Sequence, residues 1–241
     1  MRAVFISDAH LDGNASDGYR YLMRLLDSMR GSVDELFIVG DFFDFWFAGE
    51  GGVYPGFRDI VQRVLEVQRE GTSISLFEGN HDFFLSDYFA QYGIRVFPDG
   101  AGIDLDGKKV FVSHGDTVDT SKRGYLSLRR ILRSDLFYKA QKKIPSPVLW
   151  QISRTISKMS RACEMRSSNG LAARMSVFAM EKFEEGFDTV VLGHCHSPLL
   201  EQRVIHDRVK TFAILGDWIS DYSYLLYDNG EFATRSGLSS D

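Results

Sequence analysis

The chain of 241 residues carries only two cysteines, Cys163 and Cys195, and only five prolines. Two thiols in such different settings cannot build a disulfide framework, so a reducing compartment is the default. So few prolines leave little room for long linkers. No apolar run approaches the roughly 18 residues that a membrane-crossing helix requires, and the apolar stretch before Asp8 is too short for a secretory signal. A basic excess is also missing. Lys and Arg number 28 against 33 Asp and Glu, a net charge of −5, which argues against a protein that coats nucleic acid. No internal repeat or low-complexity tract is visible. These absences leave a cytoplasmic protein, free or peripheral at a membrane.

What the chain does have is core material. It is 44% hydrophobic and 25% charged, with 19 Phe and 10 Tyr, enough for one domain with a sizeable insertion or for two small ones. The charge is unevenly spread. Residues 120–176 hold thirteen cations, from Lys122 to Arg174, against only Asp135 and Glu164, so a segment of +11 sits on a remainder of −16.

Short apolar runs alternate with helical-period segments through the first hundred residues, the pattern of strand and crossover units around a partly parallel sheet. Ala3–Ile6, Glu35–Val39 and Ser73–Phe77 are predicted as buried strands. Residues 19–29 and 57–68 repeat apolar side chains at helical spacing. Asp106-Gly107 and Asp228-Asn229-Gly230, each between apolar runs, predict hairpins, so the end of the chain is expected to be antiparallel. Residues 122–185 read as a helical insertion, broken near Pro145 and Pro147, between strands ending at Ser113 and beginning at Thr189.

Each strand runs into a polar cluster: Ser7-Asp8-Ala9-His10, Gly40-Asp41, Gly79-Asn80-His81-Asp82, His114-Gly115-Asp116 and Gly193-His194-Cys195-His196. Five of the six histidines lie there. Carboxyl ends of strands are where open α/β sheets bind ligands, so the clusters should converge on one crevice. Carboxylate, imidazole and amide oxygens without thiolates suit borderline or hard divalent cations, and a pair of ions needs a shared carboxylate, for which Asp41 is the natural candidate. Asp8 and His10, like His194 and His196, are two apart, so in extended backbone each pair points to one side and Cys195 to the other. A lone Asp-x-His or Gly-Asn-His-Asp is often just a turn. Five such clusters in order, each directly after a strand, are a constellation.

The constellation resembles the calcineurin-like metallophosphoesterase superfamily over residues 4–217. That resemblance implies an α/β fold, a β-sandwich of mixed sheets flanked by helices, here one domain over 1–241 with the 122–185 helices as a lid. It implies two divalent metal ions, expected to be Mn2+, one held by Asp8, His10, Asp41 and His196 and the other by Asp41, Asn80, His114 and His194. A closer resemblance is to the UDP-2,3-diacylglucosamine pyrophosphohydrolases of lipid A synthesis. It rests on Gly40-Asp41-Phe42-Phe43-Asp44, on Gly79-Asn80-x-Asp82-Phe83, on His114-Gly115-Asp116-Thr117 followed by Gly124-Tyr125, on the size and place of the insertion, and on Arg166-Ser167-Ser168 within it. The chain departs where that family has Arg after the ligand Asn, carrying His81, and where it has an acid eight positions after the third-cluster His, carrying Lys122.

By this resemblance the reaction is metal-assisted hydrolysis of a pyrophosphate to UMP and 2,3-diacylglucosamine 1-phosphate. His81 is expected to protonate the departing oxygen with Asp82 orienting its ring. Asn80, His81, Lys122, Arg166, Ser168 and His196 are expected to meet the substrate. The expected partners are a nucleotide-linked lipid and an anionic membrane surface, with no stable nucleic acid partner, since basic helices rich in apolar and aromatic residues suit headgroups and acyl chains. The expected place is the inner face of the cytoplasmic membrane. The competing readings are a generic phosphodiesterase or nuclease whose basic segment tracks a nucleic-acid backbone, and a non-catalytic scaffold, which would have lost ligand residues where this chain has kept them all. Oligomeric state is not read from the sequence.

Overall fold

The computed structural model describes residues 1–46, 53–152, 155 and 170–237. Its strands are β1 (Arg2–Ile6), β2 (Glu35–Val39), β3 (Ser73–Phe77), β4 (Arg95–Phe97), β5 (Ala101–Leu105), β6 (Lys108–Ser113), β7 (Thr189–Leu192), β8 (Leu199–Ile205), β9 (Arg208–Ile214), β10 (Ser223–Asp228) and β11 (Glu231–Ser236). They form two sheets, in the order β11-β10-β1-β2-β3-β4 and β5-β6-β7-β9-β8. In the first, β1 to β4 run parallel and β10 pairs antiparallel with β1. In the second, β6, β7 and β9 are parallel, with β5 and β8 antiparallel at the edges.

Alternation along the strands explains the layering. Ala3 and Phe5 of β1 and Phe37 and Val39 of β2 face Val110, Val112, Val191 and Ala213 of the other sheet. Their neighbours Val4, Ile6, Leu36 and Ile38 point outward, onto two helices. These are α1 (Asp17–Met29) and α2 (Arg58–Arg69), which bury Leu22, Leu26, Ile60 and Val64 there. With both faces covered, β1 and β2 are apolar after their first residue, as strands of a buried parallel sheet tend to be. Phe5 stacks on Phe37 with centroids 4.6 Å apart; emptying such a position to alanine costs about 3–5 kcal/mol. On the far side, a helix over Leu171–Glu184 lays Leu171, Met175, Ala179 and Phe183 against Val190, Leu192, Phe212 and Ile214.

That helix closes a helical excursion between β6 and β7. After the short α3 (Ser86–Phe89), the excursion comprises α4 (Arg123–Leu132), α5 (Asp135–Gln141), α6 (residues 146–152) and α7, the Leu171–Glu184 helix. The break expected near the prolines lies between α5 and α6. Pro147 falls in the first turn of α6, where its missing N–H leaves no intrahelical bond unmade. Both expected hairpins form, with Asp106 and Gly107, then Asn229 and Gly230, at positive φ. A third hairpin, β8–β9, turns on His206 and Asp207, both at positive φ.

Candidate metal centre

The polar clusters meet at one end of the sandwich, beyond the carboxyl ends of β1, β2, β3, β6 and β7. Their backbone departs from the expected extended form. Asp8, His10, Asp41, His194 and His196 all take positive φ, between 43° and 63°. The side chains converge because the chain twists left-handed at each ligand position, and not because strand alternation sends them to one side. For L residues this conformation costs on the order of 1–3 kcal/mol each, and strain of this kind persists where surrounding bonds enforce it. Two glycines allow the close packing. A Cβ on Gly79 would lie 2.1 Å from Asp41 Oδ1, and one on Gly193 would lie 2.2 Å from Ser7 Oγ.

Asp8 and Asp41 are held in the same manner. One oxygen of each is tied to protein: Asp8 Oδ2 accepts from the Ser7 hydroxyl and from His194 N–H at 2.9 Å, and Asp41 Oδ1 accepts from His81 N–H at 2.8 Å. The other oxygen, Asp8 Oδ1 or Asp41 Oδ2, is buried and, among the described residues, without a hydrogen-bond partner. Asp8 Oδ1 lies 3.3 Å from His196 Nε2 and 3.9 Å from His10 Nε2. Asp41 Oδ2 lies 3.8 Å from His10 Nε2 and 3.4 Å from His114 Nε2, between two groups of donors. Asn80 Oδ1 stands 3.1 Å from His114 Nε2, and His194 joins Asp41 and His114 in one compact group. Asp8 and Asp41 form the buried floor; Asn80, His194 and His196, all partly exposed, form the mouth.

The imidazoles are aimed from behind. His114 Nδ1 meets the Val39 carbonyl at 3.0 Å and His196 Nδ1 meets Asp217 Oδ2 at 3.1 Å, which leaves each Nε2 toward the centre. Asp217 is itself fixed by the backbone N–H groups of Ile219, Ser220 and Asp221. Asp44 Oδ1 lies 3.7 Å from His10 Nδ1 and 4.0 Å from His81 Nδ1. Neither Asp217 nor Asp44 was expected at the site. Gly216-Asp217, separated from the end of β9 by one residue, repeats the Gly40-Asp41 signal after β2, which could have found it.

The electrostatics call for positive charge. Burial disfavours a charged ring at His114, yet Asp41, Asp8 and Asp116 together raise it well above its usual value. His196 is pushed to about 9, again against burial, by Asp217 and Asp8. Asp41 is buried too, but the surrounding imidazoles hold its carboxyl well below the usual range. His194 goes the other way, lowered by burial and by His114. Buried carboxylate oxygens without donors, ringed by nitrogen lone pairs, are the donor set that a pair of divalent cations satisfies. The residues present fit such ions.

Other expected site residues fall differently. Asp82 does not orient His81. Its two oxygens accept from the backbone N–H groups of Asp41, Phe42, Phe43 and Gly79 at 2.7–3.1 Å, so it ties the β2 and β3 loops together. Burial and the nearby Asp41 push its carboxyl up to about 7. His81 Nδ1 instead meets the Asp44 carbonyl at 3.1 Å, and its ring stands edge-on to His10 with centroids 5.0 Å apart, beside the centre. Lys122 is half-buried at the start of α4. Arg166 and Ser168 lie outside the described residues. Cys195 packs among Leu171 and Met175, away from the ligand groups.

The insertion docks beside the mouth through its cations. Arg129 binds Asp116 at 2.7 Å and Asp99 at 2.9 Å, Tyr125 donates to Asp116 at 2.7 Å, and Arg133 reaches Glu78 and the Gly79 carbonyl. Part of the basic charge is therefore used in holding α4 on the loops after β3 and β6. A cavity of about 510 Å³ lies between them, lined by Phe84, Thr117, Leu126 and Arg130 among others. Trp150 packs edge-on against Tyr54 at 5.3 Å, so it docks on the body. Leu128, Ile131, Leu136, Ile144, Val148 and Ile152 remain exposed.

Two facing mixed sheets, helices on both outer faces, and strand-end loops that gather carboxylates, imidazoles and an amide define a class of metal-dependent phosphoester hydrolase. The chain belongs to the calcineurin-like phosphoesterase family, whose sequence pattern matches residues 1–198. It is 32% identical over 232 residues to a protein of Pseudomonas fluorescens named UDP-2,3-diacylglucosamine hydrolase, covering 95% of this chain and 93% of that one. An Aromatoleum aromaticum protein of the same name is 31% identical, with 95% and 94% covered. Among solved structures, an archaeal phosphodiesterase superposes with a TM-score of 0.50 at 13% identity, covering 98% of this chain, a likeness of fold alone. Among the described residues, no helix is long and apolar enough to cross a membrane.

Proposed function

We propose that the chain hydrolyses the pyrophosphate of UDP-2,3-diacylglucosamine to UMP and 2,3-diacylglucosamine 1-phosphate, a step of the lipid A pathway. The observation that carries this reading is the near end-to-end match to relatives of that name, at 32% identity over 95% of the chain. In this reading Asp8, His10, Asp41 and His196 hold one ion and Asp41, Asn80, His114 and His194 the other, both Mn2+. Such ions neutralise phosphoryl oxygens and activate water near neutral pH. The burial of Asp41, with one oxygen tied to His81 N–H and the other 3.8 Å from His10 Nε2 and 3.4 Å from His114 Nε2, supports the shared role this reading gives it.

The chain's own residues do the rest. His81, its Nδ1 engaged by the Asp44 carbonyl, is positioned to pass a proton from its other nitrogen to the departing phosphate oxygen. Asn80 and His196, at the mouth, contact the substrate as well. Lys122, with Arg166 and Ser168, meets the nucleotide from the insertion. The exposed apolar residues of α4 to α6, interleaved with exposed Arg130, Lys139 and Lys143, support an acyl-binding, headgroup-facing surface at the inner face of the cytoplasmic membrane.

The test is an assay of the purified protein with Mn2+ on UDP-2,3-diacylglucosamine, bis-p-nitrophenyl phosphate and single-stranded DNA. The lipid nucleotide should be turned over fastest by a wide margin. Faster turnover of the small diester would replace this reading with a generic phosphodiesterase, and of DNA with a nuclease. In the same assay Asp41→Ala should lose most activity together with bound metal.

A further inference from the structure

We propose that the open edge of β8 pairs with the same edge of a second copy of this chain, joining the two smaller sheets into one across a twofold axis at Gln202. Among the described residues, β8 is the outermost strand of its sheet and pairs only with β9. It runs seven residues in unbroken register, with no proline, lysine or bulge to guard it. Long, regular edges are templates for strand addition, and the charges on this one, Glu201 and Arg203, are of opposite sign, so they match a second copy rather than repel it.

The hairpin fixes which backbone groups face outward. Ile205 and Arg208 close the two-residue turn at His206 and Asp207, so Ile205, Arg203, Glu201 and Leu199 exchange their bonds with β9. The N–H and C=O groups of Leu200, Gln202 and Val204 therefore point to the open side. A twofold axis at Gln202 pairs these groups with their counterparts: Gln202 with itself, and Leu200 with Val204 of the other copy.

The side chains are self-complementary about the same point. Reading outward from Gln202, Glu201 is opposed by Arg203, Leu200 by Val204 and Leu199 by Ile205. Each Glu201 would lie across from the Arg203 of the other copy, at positions without cross-strand bonds where side chains approach most closely. Glu201 and Arg203 already bond within one strand at 2.6 Å, so association extends an existing pair into a four-member charge cluster. The apolar gain is on the other face. Val204 is 75% exposed and its cross-strand partner Val209 is 61% exposed, and the pairing sets Leu200 of the second copy against Val204. An isologous contact of this kind closes on itself as a dimer.

The test is the mass of the full chain by light scattering over a dilution series. A particle of twice 27.4 kDa is expected, dissociating on dilution. Glu201→Arg and Arg203→Glu should each give monomer, because twofold symmetry sets like charges opposite one another twice. The double exchange should restore the dimer. Gln202→Cys should cross-link between copies under mild oxidation, since residues facing across the axis bring their Cα atoms to about 5.5 Å; Leu199→Cys and the unsubstituted chain should not. A chain that stays monomeric throughout, or a dimer whose mass neither single reversal changes, overturns the proposal.

Discussion

His10 and His196 stand ring against ring, 19° from parallel, with their Nε2 atoms 3.4 Å apart. Two imidazole nitrogens are held so close either by a shared proton or by a shared cation. Asp217 holds the other nitrogen of His196, and the oxygen of Asp8 without a donor lies beside both rings. Asp217→Asn should therefore weaken metal binding by about 10–100-fold, the usual effect of removing a carboxylate behind a ligand imidazole. Titration of the metal-free protein with Mn2+, read calorimetrically, checks it. Unchanged affinity would mean that His196 needs no such support.

His81 and Asp82 are neighbours with separable roles. His81→Ala keeps the backbone N–H that anchors Asp41, so both ions should stay bound while kcat falls by about 10²–10⁴-fold. Asp82→Ala strands four backbone N–H groups in the interior, at about 1–3 kcal/mol for each that finds no water. It should lower the melting temperature and metal content together. Elemental analysis and thermal melts of the two variants separate the cases, and equal metal loss in both would place His81 among the ligands.

Asp188 ties the start of β7 to β9, taking the Lys109 N–H on one oxygen and the buried Lys210 ammonium on the other at 2.9 Å. Partial burial works against its ionised form, but these donors prevail and lower its pKa. A carboxyl lowered on folding contributes stability above its unfolded value, here about 3.8, and loses that contribution as pH falls through the folded value. Asp188→Asn should cost about 1–2 kcal/mol at pH 7, because one amide oxygen without charge replaces two carboxylate oxygens and the other position becomes a donor facing the Lys109 N–H or the Lys210 ammonium. Urea unfolding at pH 7 and again at pH 3 should show the deficit shrinking at the lower pH.

Much of this was legible in the residues because it is carried by period and punctuation. The faces of α1 and α2, the bounds of β2, β3 and β7 and the two glycine-bearing hairpins follow from apolar spacing and from Asp-Gly or Asn-Gly turns. The β8–β9 hairpin did not, because His206-Asp207 adopts the same left-handed turn without glycine, and because Glu201, Gln202 and Arg203 break the apolar pattern of an edge strand. At the site, the strand-end clusters identified the donors, but the geometry that unites them is local strain at Asp8, His10, Asp41, His194 and His196, which no spacing encodes. Asp82 looked chemical by adjacency to His81, whereas tertiary contacts with residues forty positions away gave it a structural task.

Leu136 is 80% exposed on α5 and Ile131 is 61% exposed on α4, although both helices hold polar partners on the body. Exposed apolar residues beside cations are what an anionic bilayer takes up: about 25 cal/mol per Å² of apolar area withdrawn, and about 1 kcal/mol per well-placed cation. The two contributions respond differently to salt. Replacing Leu136 and Ile131 by Ser should weaken binding to vesicles of phosphatidylglycerol and phosphatidylethanolamine several-fold at every salt concentration. Replacing exposed Arg130 and Lys143 by Gln should weaken it at low salt only, because screening shortens the reach of those charges to a few ångström near 0.5 M. Neither pair lies among the metal donors, so turnover of bis-p-nitrophenyl phosphate should not change. Vesicle sedimentation with all four residues replaced, showing binding equal to the unsubstituted chain, would remove this face of the insertion from contact with lipid.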